Sequence, residues 1–211
     1  MFIKENAMKR MRLAALTAVL IPVFALAQQG SDQSPANMED MMKAMGALMS
    51  GGTNAAAVVD FRELKALLPA EVEGMKRTNA SGEKSGAMGM TVAYAEGTYE
   101  SDAGGYIGIK ISDNGGLGGL MAMAQAGWAS SEIDRESDTG FERTTTYGEY
   151  KAHEEYDTAN KSGKVDILVG GRFMVEVSGH NIAWEPIQAA AKKVDLAKLA
   201  TLKPKAATPA P

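Results

Sequence analysis

The sequence predicts an α+β fold: a largely antiparallel sheet of about six strands, covered by two or three helices and preceded by an N-terminal amphipathic helix. Three observations point there. YIGIKIS from Tyr106 puts Ile107, Ile109 and Ile111 on one face, the period of two that marks a half-buried strand. KVDILVGGRFMVEVSG reads as a hairpin, because Gly170-Gly171 suits the two-residue turns that need positive φ. Leu117, Leu120, Met121, Ala124 and Trp128 recur at helical spacing, with Ala or Gly on much of the remaining surface, so this helix is expected to be buried on more than one side.

In chain order, residues 1–27 come first. Lys9, Arg10 and Arg12 precede an apolar run, and Ala25-Leu26-Ala27 supplies small residues before Gln28, which is the layout of a secretory leader. The run is shorter than the roughly 20 residues a membrane span needs. The whole chain carries 22 Lys and Arg against 26 Asp and Glu; without the leader's four basic and one acidic side chains, 18 basic and 25 acidic remain, a net charge of -7. That balance argues against nucleic acid and anionic membranes as partners. Cys is absent, so the core alone must hold the domain, and a periplasmic setting is expected ahead of a secreted one.

Residues 28–57 form a polar lead that contains MEDMMKAMGALM. Ser34-Pro35 is a good helix start and Ser50-Gly51-Gly52 a good stop, so residues 35–49 are expected to be helical. At 100° per residue Met38, Met41, Met42, Met45 and Met49 make one stripe. A short helix containing Gly46 is marginal alone in water, so the stripe calls for a cover: its own domain, a second copy or another protein. Packing or self-association leads, since Met fills irregular apolar surfaces well; a partner-binding face comes next, and a Cu(I) site built from the same five thioethers is the alternative.

Residues 58–202 carry the domain pattern. Asp60 caps a first helix that Pro69 ends, after Leu64, Leu67 and Leu68. MTVAYAEGTYE and YIGIKIS are strands joined by a turn near Asp102 to Gly105, and FERTTTYGEYKAHEEYD is two more around Tyr147-Gly148. A closing helix runs from Trp184 to Val194, with Pro186 in its first turn. Gly74 to Thr78 and Gly140 to Thr144 share Gly, Arg and Thr at matching places and open segments that run through strands into a helix. Strands then a helix, twice, is similar in outline to the Mog1/PsbP-like domains, an analogy of fold alone. The tail at 203–211, with three prolines, reads as disordered.

Catalytic signals are few. Nucleophilic catalysis needs a positioned base, and the chain offers only His153 and His180. His153 lies in a strand whose face it shares with Glu149, Lys151, Glu155 and Asp157, a solvated ladder of mixed charge; His180 reads as part of a turn with Ser178 and Asn181. Glu154 and Glu155 read as acidic surface. The run Gly115-Gly116-Leu117-Gly118-Gly119 lacks the third glycine of a dinucleotide fingerprint, where Met121 stands, so it is a tight connection. The expected function is an exported, non-enzymatic binding or interaction module with no cofactor and no membrane span in the mature chain; a copper-handling protein is the alternative, and a hydrolase using His153 or His180 comes third.

Overall fold

The computed structural model describes residues 57–87 and 90–204. The leader, the Met-rich stretch with its expected helix, and the tail from 205 lie outside the described residues. The described chain is mostly one nine-stranded antiparallel sheet in the order β1-β2-β3-β4-β9-β8-β7-β6-β5. The strands are β1 (Glu71–Val72), β2 (Met75–Ala87), β3 (Met90–Glu100), β4 (Tyr106–Gly116), β5 (Asp134–Ser137), β6 (Gly140–Tyr147), β7 (Tyr150–Asp157), β8 (Ser162–Val169) and β9 (Phe173–His180). The helices, fewer and shorter, are α1 (Phe61–Lys65), α2 (Gly119–Ser130), α3 (Trp184–Lys193) and α4 (Leu196–Thr201).

This corrects the expected fold class. The α+β reading with about six strands gives way to a nine-stranded sheet with short helices. The additional strands are β1, β2 and β5, the outermost of the sheet. Edge strands bury little, so they carry little hydrophobic alternation: all four residues of β5 are exposed, and MKRTNASGEKSGA of β2 is polar and mostly exposed.

The sheet centre is built as its alternation requires. Ile109 faces Val177 and Ile111 faces Val175 across β4 and β9; Val165 and Ile167 continue the rows on β8. All six are fully buried, each contributing about 1.5–3 kcal/mol. At the β8–β9 hairpin Gly170 and Gly171 have φ of 57° and 64°, the double positive φ of the tightest turn. On this face lie α1, with Leu64, and the turn after it, with Leu67 and Leu68, beside β2, β3 and β4, and α3, with Ile187, Ala190 and Ala191 against β8 and β9. Asp60 caps α1 by accepting from the Arg62 amide at 2.8 Å.

Two buried carboxylates stand in this core. Asp113, in the second half of β4, takes the Arg172 guanidinium in a fork (Nε to Oδ1 2.8 Å, Nη2 to Oδ2 2.7 Å) and also accepts from the amides of Val59 (2.7 Å) and Gly115 (2.9 Å). Glu154 is 1% exposed, which corrects the reading of Glu154 as acidic surface. It accepts from the Tyr147 hydroxyl and the Arg143 Nε, both at 2.7 Å. Burial, then the bond to Glu154, pushes the Tyr147 hydroxyl far above the ordinary tyrosine range.

Helix α2 departs from expectation in its burial. Among its described side chains Met123 is 63% exposed, Ala124 and Ala126 are exposed, and Trp128 is partly buried. It links β4 at the sheet centre to β5 at the far edge, so it has to cross the sheet. The glycine-rich connection before it is a close approach: a Cβ at Gly116 would lie 2.0 Å from the Thr91 carbonyl oxygen.

Candidate functional site

With α1, α3 and α4 on one face, the other carries the outward residues of each strand in rows. One row runs Glu96, Lys110, Glu176, Asp166, His153 and Thr144 across β3, β4, β9, β8, β7 and β6. The next runs Thr98, Gly108, Ser178, Lys164, Glu155 and Glu142 through the same strands. These residues were legible as one face of each strand, but their alignment into rows is a matter of register.

Several of the polar side chains along the rows are paired. Lys164 Nζ meets Asp166 Oδ2 at 2.9 Å, His153 Nε2 meets Glu142 Oε1 at 3.1 Å, and Arg135 Nη1 donates to Glu142 Oε2 at 2.7 Å. Burial raises the Asp166 carboxyl above its ordinary range, against the opposing pull of Lys164. Burial works against the Lys164 ammonium, but the bond to Asp166 and the fields of Glu155 and Glu176 outweigh it, so its pKa is raised. Lys110 sits 4.9 Å from the centre of the Tyr94 ring.

Two hollows lie on this open face, and both reach Glu142. A groove of about 390 Å³ is lined by Glu142, Glu155, Asp157, Lys164, Ser178 and His180, with Gly163 and Gly179 among its walls. A smaller pocket of about 220 Å³ lies where the end of α2 meets the sheet, between Trp128, Ile133, Glu142, Thr144, Lys151 and His153.

Both histidines therefore share the open face. His153 is in β7, as expected. His180 is the last residue of β9 and not part of a turn: it pairs with Tyr106 and Ser162 and stacks on the Tyr106 ring at 4.8 Å. The turn begins one residue later, where Asn181 has φ of 53°. The two imidazoles are two strands and four residues apart, about 16 Å at ~3.3 Å per residue and ~4.8 Å per strand, too far to act on one bond or hold one ion. Among the described residues no group of three or more His, Cys, Asp or Glu side chains is arranged to hold a metal ion, and no helix is long and apolar enough to cross a membrane. Met38, Met41, Met42, Met45 and Met49 lie outside the described residues.

Compared with known proteins, the chain matches no family model, no curated protein and no solved structure.

Proposed function

We propose that this chain is an exported, periplasmic, non-enzymatic binding module whose recognition surface is the open face of its sheet. The observation that carries the reading is the groove across β6 to β9, where charged side chains of both signs line one open hollow. Paired charges at a partly exposed surface add little to stability, with a typical exposed pair worth about 0–1 kcal/mol. Their use is in complementarity to a partner, where they set specificity and the rate of encounter. Export rests on the leader pattern of residues 1–27. The partner is a protein surface of mixed charge, and the Met stripe is a second contact for the same partner or for another copy of the chain.

The test is photo-crosslinking in cells from a reactive residue at Glu155, which is exposed in the groove, against one at Lys192, exposed on the helix side. The expected result is a discrete adduct from position 155, absent from 192 and lost when Lys164→Glu reverses a groove charge. No adduct from 155, or the same adduct from 192, overturns the reading. Export is checked in the same cells by fractionation and by the mass of the chain, which should begin at Gln28.

A further inference from the structure

We infer that Asn114-Gly115 is a site of spontaneous modification, where the asparagine is converted to aspartate and isoaspartate, and that Asp113 is the group that holds this reaction back in the folded chain. Asn114 is the one asparagine in the sequence followed by glycine. Asparagine is a thermolabile residue, and glycine after it is the fastest context, because the missing Cβ lets the backbone turn its nitrogen onto the side chain.

The fold has a physical reason to keep this dipeptide. A Cβ at Gly115 would lie 2.8 Å from Arg172 Nε and 3.1 Å from Asp113 Oδ1, so a side chain there would push the guanidinium off the carboxylate. The buried fork therefore imposes the glycine. Asn114 beside it is half-buried, so water has access to it.

The reaction balances with water as its co-reactant. The Gly115 nitrogen gives its proton to solvent and attacks Cγ of Asn114; the Cγ–Nδ2 bond breaks, and ammonia leaves with a proton taken from solvent. A cyclic imide remains. Water then opens it: attack at Cγ breaks the bond from Cγ to the Gly115 nitrogen and gives aspartate, while attack at the main-chain carbonyl carbon breaks the original peptide bond and gives isoaspartate.

In the folded chain the nucleophile is held. The Gly115 N–H donates to Asp113 Oδ1 at 2.9 Å, and that carboxylate is fixed in turn by the Arg172 fork. The neighbouring groups are tied down as well: the Asn114 amide donates to the Arg172 carbonyl at 3.1 Å, and the Asn114 carbonyl accepts from the Leu117 amide at 2.9 Å. Ring closure needs this peptide to rotate toward the Asn114 side chain, so it has to wait for a local opening that breaks these bonds.

The products undo the anchor that delays them. Either one places a new carboxylate beside Asp113, in competition for the same arginine, and isoaspartate also adds a carbon to the main chain where β4 meets β9. Arg172 Nη2 holds the Ala57 carbonyl and Asp113 Oδ2 the Val59 amide, so the modification irreversibly loosens the point where the preceding chain joins the sheet.

The test is to incubate the purified chain at mildly alkaline pH across a urea series, digest it, and follow position 114 by mass spectrometry with chromatographic separation of the two products. Hydrogen exchange of the Gly115 amide is read in the same series, and Asn79-Ala80 and Asn160-Lys161 are internal controls. In the unfolded chain, conversion at 114 is expected to outpace both controls. In the folded chain it should be at least about tenfold slower, the factor that one hydrogen bond to a charged group supplies, and Gly115 exchange should be slow and rise with urea in step with conversion. Asp113→Ala, in conditions where it folds, should convert faster than the folded parent. Asn114→Gln should keep its melting temperature through an incubation that lowers the parent's.

Conversion at 114 no faster than at the controls in the unfolded chain would remove the site. Equal rates in folded and unfolded chains, Gly115 exchange as fast as that of a solvated amide, or a folded Asp113→Ala that converts no faster than the parent would remove the guard; if that variant does not fold, the exchange and urea series decide. A decline in Asn114→Gln parallel to the parent's would show that the modification does not loosen the anchor.

Discussion

The two faces of the sheet use the same kinds of charged residue in opposite ways. On the core face, Asp113 and Glu154 are almost wholly removed from water, and each carboxylate is answered by an arginine and by further donors. On the open face, Lys164, Asp166, Glu142 and His153 pair with one another at similar distances but keep 14–31% of their side-chain surface in solvent. Desolvation makes the difference. A buried charge that loses its partner is stranded, whereas an exposed one exchanges its partner for water. The core-face charges are therefore committed to the fold, and the open-face charges are much less so.

The sharpest way to break that contrast is Asp113→Ala. It strands the Arg172 guanidinium and removes the acceptor for the Val59 amide, so urea denaturation should show a loss of about 3–5 kcal/mol or no folded chain. A midpoint unchanged from the parent would mean that Asp113 is no more committed than the open-face pairs. Next in size, Glu154→Gln and Tyr147→Phe should each cost about 1–3 kcal/mol. Measured together they should be less than additive, because both act on one hydrogen-bonded group.

Asp166→Asn sharpens the comparison at the boundary between the faces. Burial raises the folded-state pKa of Asp166, so the folded chain holds the proton to higher pH than the unfolded chain does. Its contribution is present below the ordinary carboxylate value of about 3.9 and is lost as pH rises through the raised value. Relative to Asp166→Asn, the parent should therefore lose melting temperature across that window, with an effect below about 1 kcal/mol. A parallel pair of melting curves would place Asp166 with the fully solvated charges. Lys164 has the same sign of dependence in a higher window: its pKa too is raised, so its contribution is fully present at neutral pH and is lost only as pH rises above the ordinary lysine range.

The smallest stability effect belongs to Lys110→Ala, within about 0.5 kcal/mol of the parent. The same substitution should still weaken the crosslink from position 155 if the rows act as one surface. A large loss of stability would show that the open face carries the fold as well.

Much of the strand layout was legible from residues alone. Ile107, Ile109 and Ile111, or Phe173, Val175 and Val177, announce their strands because one side of each is sealed and the other is not. The missed strands were those with no such contrast. β2 and β5 lie at or near the edges, where little of either side is sealed, so their sequences resemble loops. His180 was read as a turn residue because Gly179 and Asn181 flank it, yet pairing to both Tyr106 and Ser162 extends the strand through it. Of the site, the alternation on β7 separated Lys151, His153, Glu155 and Asp157 from Tyr150, Ala152, Glu154 and Tyr156. It did not say which set met the core, so Glu154 was given to the surface.

By itself the sequence determined the central strands, the Gly170-Gly171 hairpin and the positions of α2 and α3, because these depend on alternation, helical spacing and turn chemistry within a few residues. Only the tertiary structure decided which sheet face is sealed, where the edges end, how the charges align into rows and that Trp128 stands over His153. Those features depend on pairings between distant parts of the chain. Asp113 and Arg172 are 59 residues apart, and no local pattern near either one names the other.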